Sequence, residues 1–222
     1  MLSNKLGHKL DKPLAPIARW LAGLGISPNM LTIGGAITNT VAAIVLAYGH
    51  YRVGGVIVLM GGAFDLLDGA LARVVGKQSA FGSVLDSTLD RYSDALPLFG
   101  LMLYYSGWNP AEGAMRFRDM VLCGVVILGS LMVPYVRAKA ESLLQRCDIG
   151  LAERAERVII FAGGLIVNAD VAALWILAVL THFTVIQRLL YVRAHLREGP
   201  ETLEHASPKG KELTPSDAKS KL

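Results

Sequence analysis

Residues 65–90, DLLDGALARVVGKQSAFGSVLDSTLD, set four carboxylates inside an otherwise apolar sequence. The skeleton is Asp65-x2-Asp68-Gly69-x2-Ala72-Arg73-x8-Gly82-x3-Asp86-x3-Asp90. On a helix, Asp65 and Asp68 (i, i+3) share one face, as do Asp86 and Asp90 (i, i+4). Two helices meeting along those faces would bring the four carboxylates to one point, and so many like charges do not share a site without cations. A metal is implied. The stretch has no His or Cys, and an oxygen-only donor set favours a hard cation, Mg²⁺, Mn²⁺ or Ca²⁺, over Zn²⁺. Incidental acids on two buried helices are the bland alternative, but intramembrane carboxylates are costly and mark functional sites.

The chain around this stretch reads as an integral membrane protein. Of its 222 residues 53% are hydrophobic, the mean hydropathy is +0.44, and the apolar residues fall into runs of membrane-spanning length. No cleavable signal is expected at the charged N-terminus. The net charge of +4 bears on membrane orientation rather than nucleic acid, for which no module is visible. Cys123 lies in an apolar run and Cys147 beside Arg146 and Asp148, so a disulfide framework is not expected.

In chain order, residues 1–25 mix Lys5, His8, Lys9, Lys12 and Arg19 with leucines and Trp20, with prolines at 13 and 16. This predicts a broken amphipathic helix on the membrane surface, its basic face toward anionic headgroups. Residues 26–195 hold six expected spans. The first covers 30–48, about 28 Å at 1.5 Å per residue, introduced by Ser27 or Asn29 as a cap and Pro28 in the opening turn. The second covers 53–75 and the third 79–101, joined by Gly76 and Lys77, with Asp94 continuing the Asp86/Asp90 face. The fourth covers 120–136 and continues to Gln145, after a turn at 107–112. The fifth is short, 158–167, and the sixth is 171–190, after a turn at 168–170. The tail, 196–222, is rich in Lys, Glu, Ser and Pro and is expected to be disordered. The basic segments 1–25, 73–77 and 137–157 and the tail alternate with poorly basic turns, which puts both termini and the carboxylate end in the cytoplasm.

The skeleton resembles the signature of the CDP-alcohol phosphatidyltransferases, membrane enzymes that move a phosphatidyl group from a CDP-linked lipid onto an alcohol; all eight of its positions match. The resemblance implies a phospholipid-synthesising enzyme of the cell membrane that uses CDP-diacylglycerol and two divalent ions, Mg²⁺ or Mn²⁺, and forms homodimers. It makes Asp65, Asp68 and Asp86 metal ligands, and Asp90 the candidate general base that also touches metal. Gly69, Arg73 and Ser79, with Pro28, Asn29 and Thr32 from the first span, take positions that bind the CDP moiety. Arg73 also suits phosphate on its own chemistry, through a bidentate guanidinium.

The acceptor is read from residues outside the skeleton. Arg137, Arg154 and Arg188 stand at the cytoplasmic ends of the fourth, fifth and sixth spans, where three cations could bind the phosphate of an alcohol that already carries one. LDSTLDR (85–91), YVRAKAE (135–141), ERAERVII (153–160) and TVIQR (184–188) resemble the branch of the family that makes phosphatidylinositol phosphate, which implies inositol 1-phosphate as acceptor, with Lys139 and Arg157 as further candidates. Ordinary cytoplasmic-end arginines are the alternative. A phosphatidylglycerophosphate synthase using glycerol 3-phosphate is the nearest rival reading. A cation transporter is a rival from another class, although acids beside Gly69 and Arg73 at helix ends do not make a cation path.

Overall fold

The computed structural model describes residues 14–76, 79–108, 114–144, 149–151 and 153–197. All regular structure among them is helical. Residues 14–23 form α1, followed by α2 (Pro28–Ala47), α3 (Tyr51–Val75), α4 (Ala80–Tyr105), α5 (Phe117–Leu144), α6 (Arg154–Ile166) and α7 (Asp170–Arg197). The expected disordered tail from 198, Cys147, Lys77 and most of the 107–112 turn fall outside the described residues.

Local chemistry explains the boundaries. Ser27, not Asn29, caps α2: its hydroxyl accepts from the Met30 N–H and Pro28 opens the helix. Ser79 caps α4 by accepting from the Gly82 N–H. Gly76 ends α3 at φ 65°, a left-handed conformation in which a Cβ is strained. Asn168, at φ 57°, turns the chain between α6 and α7. Three helices are longer than hydropathy suggests. α7 runs to Arg197 and α6 starts at Arg154, because residues too polar for hydrocarbon still propagate a helix at its ends, while α4 continues through the apolar and aromatic residues 102–105 to Tyr105.

Four helices, α2, α3, α5 and α7, are long and apolar enough to cross a membrane. α4 misses that description because Asp86, Asp90, Arg91 and Asp94 lie within it. α6 misses it on length: 13 residues reach only about 20 Å. The outward faces are apolar, as with Ile33, Ile37 and Ile44 on α2 and Trp175, Val179, Phe183 and Ile186 on α7. Such extensive exposed apolar surface belongs in lipid. The chain is a multi-pass membrane protein.

The helices close into a ring in the order α2, α3, α6, α7, α5, α4 and back to α2, while α3 and α4 make only a marginal direct contact. Small residues set the distances. Gly100 of α4 lies against the α2 backbone so closely that an added Cβ would stand 2.1 Å from the Ala43 carbonyl oxygen. Gly100→Ala must therefore push α4 off α2, at roughly the 1–3 kcal/mol cost of overpacking. Thermal unfolding in detergent should show a lowered Tm, whereas Gly124→Ala, with open space around its Cβ and a better helix former in place of Gly, should not lower it.

The core runs through the ring, with Leu46, Leu101, Tyr105, Val126, Leu165, Leu174 and Leu177 buried. At one end, the Tyr105 hydroxyl donates to Asp170, Arg116 stacks 4.5 Å over the Tyr105 ring, and Trp108 Nε1 donates to the Ala47 carbonyl at 3.0 Å. The starts of α2, α4 and α6 and the ends of α3, α5 and α7 form the other end, where the carboxylates lie. α1 packs across that end through Ala18 and Leu21 against Leu31, Ala70 and Leu71.

Candidate active site

Two openings at this end bring the expected site residues together. The first is a cleft of about 680 Å³ lined by Pro28, Asn29, Thr32, Asp68, Gly69, Ala72, Ser79, Gly82, Ser83 and Asp86. It joins the first turns of α2 and α4 to the last turns of α3. Thr32 Oγ1 donates to Asp68 Oδ2 at 2.8 Å, so α2 orients a carboxylate of α3. Gly82 lets α4 approach α2, since a Cβ there would meet Ser79 Oγ at 2.9 Å and Asn29 Oδ1 at 3.1 Å. Of the residues expected to bind a nucleotide, Pro28, Asn29, Thr32, Gly69 and Ser79 all line this cleft. Arg73 is beside it, its guanidinium folded over Gly69 with Nη1 3.4 Å from where a Cβ would be.

The second opening, about 910 Å³, is lined by Ser87, Asp90, Arg91, Val133, Pro134, Arg137, Ala138, Glu141, Glu153, Arg154, Arg157 and Arg188. Arg137, Arg154 and Arg188 thus come together from α5, α6 and α7, joined by Arg157; Lys139 is exposed and does not line it. The arginines are held differently. Arg137 Nε donates to Glu141 Oε1 at 2.8 Å. Arg188, 2% exposed, donates to the carbonyls of Ile149 (2.8 Å) and Val133 (2.6 Å). Arg154 reaches into the acids, with Nη2 2.8 Å from Asp65 Oδ2 and Nη1 2.7 Å from Asp90 Oδ1.

The carboxylates are divided between the openings. Asp68 and Asp86 face the first and Asp90 the second, while Asp65 lies under Arg154. Each is near enough to feel its neighbour's charge: Asp65 that of Asp68 and Asp90, Asp68 that of Asp86, and Asp90 that of Asp86. Among the described residues no three acids surround a single point. The spacings of the acids predict that α3 and α4 meet along their acidic faces. The ring instead holds these helices apart, with Thr32 of α2 on one flank and Arg154 of α6 on the other.

The arrangement has known counterparts. The CDP-alcohol phosphatidyltransferase family model matches residues 25–187. The chain belongs to the CDP-alcohol phosphatidyltransferase family. An archaetidylinositol phosphate synthase of Pyrococcus horikoshii is 40% identical over 197 residues, 88% of this chain and 99% of that protein. A phosphatidylinositol phosphate synthase of Mycobacteroides abscessus is 37% identical over 87% of this chain and 88% of its own length. Crystal structures of the Mycobacterium tuberculosis phosphatidylinositol phosphate synthase superimpose well. The one with CDP-DAG bound has a TM-score of 0.71 at 32% identity, over 81% of this chain and 92% of that one. The one in complex with manganese and citrate also has a TM-score of 0.71, at 34% identity, over 81% and 88%.

In this phosphatidyltransferase the donor set suits a hard divalent cation. The acids offer only oxygen, and Asp90 Oδ1 is buried with no aligned hydrogen bond although Arg154 Nη1 is close, an ion-pair contact off the hydrogen-bond axis. Arg157, expected as a further acceptor candidate, is buried at the second opening. One feature of the site was not foreseen: Asp94 binds both Arg154 and Arg157. The signal for Asp94 was its i+4 step beyond Asp90; its partners depend on how α6 packs.

Proposed function

We propose that this enzyme transfers the phosphatidyl group of CDP-diacylglycerol to a hydroxyl of inositol 1-phosphate, giving phosphatidylinositol phosphate and CMP. The observation that carries this reading is the convergence of Arg137, Arg154 and Arg188 on the opening that also contains Asp90. Such an opening suits an alcohol that already bears a phosphate. The names of the two relatives differ in the lipid and share inositol phosphate, which favours that acceptor over glycerol 3-phosphate.

In this scheme the CDP moiety occupies the first opening, held by Pro28, Asn29, Thr32, Gly69 and Ser79 with Arg73 at its margin. Two divalent ions, Mg²⁺ or Mn²⁺, held by Asp65, Asp68, Asp86 and Asp90 would supply neutralisation of the diphosphate charge. Asp90, on the acceptor side, takes the proton of the attacking hydroxyl. The new P–O bond forms to the inositol oxygen as the bond to CMP breaks. Thr32 holds Asp68 in place through its hydroxyl, and the arginines fix the acceptor phosphate so that the hydroxyl faces the lipid-side phosphorus.

We further assign α2 to α7 as six crossings forming one catalytic domain, 26–195, with Asp90 and Asp94 of α4 turned toward Arg154 of α6. α1 within the 1–25 arm lies at the interface: Ala18 and Leu21 face the protein while Ile17, Trp20 (64% exposed) and Leu24 face outward. Both termini and the active site face the cytoplasm of the cell membrane, and the enzyme works as a homodimer.

Arg137→Ala tests the acceptor assignment. Charge-assisted hydrogen bonds are worth roughly 1.5–3 kcal/mol, so the KM for inositol 1-phosphate should rise about 10- to 150-fold with the CDP-diacylglycerol KM unchanged. Arg137→Lys should recover only part, since it loses the planar fork. An unchanged acceptor KM in Arg137→Ala would remove this residue from the acceptor site.

A further inference from the structure

Asp94 lies one helical turn beyond Asp90 on α4, outside the eight-position skeleton, with a side chain only 5% exposed. Its two oxygens serve two arginines of α6: Oδ1 accepts from Arg154 Nε at 3.3 Å and Oδ2 from Arg157 Nη2 at 2.5 Å. Both guanidiniums line the second opening, whereas Asp94 does not. It sits inside the ring, in a small space to which all six helices contribute, among them Asn39, Asp65, Ser130 and Leu177. Asp94 thus contacts two cations of the acceptor opening from behind.

The geometry of Arg154 shows what this contact does. With Nε turned to Asp94, its Nη1 and Nη2 point to Asp90 and Asp65, so the carboxylate fixes the plane of the guanidinium fork. Arginine side chains have many rotamers, and an acid on a neighbouring helix selects one for each. Two cations so close also repel, and a buried carboxylate between them offsets that repulsion.

We propose that Asp94 is a positioning residue for the acceptor: it anchors Arg154 and Arg157 in the wall of the second opening, which receives the phosphate of the incoming alcohol. This rests on the acceptor reading given above. Asp94 touches no substrate and acts through the two arginines. Asn in its place keeps the size, loses the charge and offers one accepting oxygen to two guanidiniums.

The test is steady-state kinetics of the full-length enzyme in detergent, comparing wild type, Asp94→Asn and Arg137→Ala with CDP-diacylglycerol and inositol 1-phosphate. Asp94→Asn should raise the inositol 1-phosphate KM by about 10- to 100-fold, the scale of a lost charge-assisted contact, with the CDP-diacylglycerol KM within about twofold. Asp94→Glu, which keeps the charge one methylene further out, should recover part of the loss. If Arg137→Ala raises the acceptor KM and Asp94→Asn does not, the positioning role is overturned and the acceptor reading stands. If neither changes it, both are overturned. A lowered Tm with both KM values unchanged would make Asp94 a purely structural residue and also overturn the role. Should Asp94→Asn not fold, Asp94→Glu decides: a several-fold rise confined to the acceptor KM supports the role, and a wild-type KM overturns it.

Discussion

Asp68→Asn is expected to reduce phosphatidyl transfer by on the order of 10³-fold while leaving the fold intact. Asp68 is 7% exposed, faces the first opening beside Asp86 and accepts the Thr32 hydroxyl at 2.8 Å. Asn retains the shape and an oxygen for Thr32, so α2 and α3 should stay packed. It removes the negative charge on which cation binding depends. Metal-based charge stabilisation is worth several kcal/mol, and each ~1.4 kcal/mol is a decade in rate. CMP release measured at saturating Mg²⁺, with a thermal melt in parallel, separates the two effects. Wild-type turnover would show that Asp68 holds no metal.

Asp90→Asn should have a loss of similar size for a different reason. As the proposed base, Asp90 contributes the roughly 10²- to 10⁴-fold typical of general base catalysis, and Asn cannot take the proton. Asp90 lines the second opening and not the first, so binding of the CDP-lipid should persist. Arg154 keeps Asp65 and Asp94 as partners, which should preserve the site's shape. The measurement is kcat together with CDP-diacylglycerol binding on the same preparation. If binding vanishes with turnover, Asp90 acts through the cations it helps to hold and not as the base.

The acids, the cleft residues and the helices were legible in the sequence for definite physical reasons. The i, i+3 and i, i+4 spacings of Asp65/Asp68 and Asp86/Asp90 survive any packing, because they are properties of a single helix. Ser27, Pro28 and Ser79 mark helix starts by their own chemistry, and two helix starts that meet make a cleft. Arg154 between Asp65 and Asp90 was not legible. Its place follows from α3 packing on α6, a pairing across nearly a hundred residues that periodicity does not encode. The marginal contact of α3 with α4 was hidden for the same reason: a short link suggests direct neighbours, yet α2 wedges between them where Gly35, Gly61 and Gly100 allow close approach. The polar score of α4 has a similar origin. A helix whose charges point into a ring scores as polar although its outer face, with Phe81, Val84, Tyr92 and Phe99 exposed, is apolar.

The choice of acceptor is the most direct test of the function proposed here. CDP-diacylglycerol should be offered to the purified enzyme with Mg²⁺ and, in turn, inositol 1-phosphate, unphosphorylated inositol and glycerol 3-phosphate, with CMP release and the mass of the lipid product as readouts. Phosphatidylinositol phosphate should form with inositol 1-phosphate, at a kcat/KM at least about 10-fold above inositol, the scale of one lost charge-assisted phosphate contact. Equal or better use of glycerol 3-phosphate would contradict the inositol assignment, and equal use of unphosphorylated inositol would contradict the role of Arg137, Arg154 and Arg188.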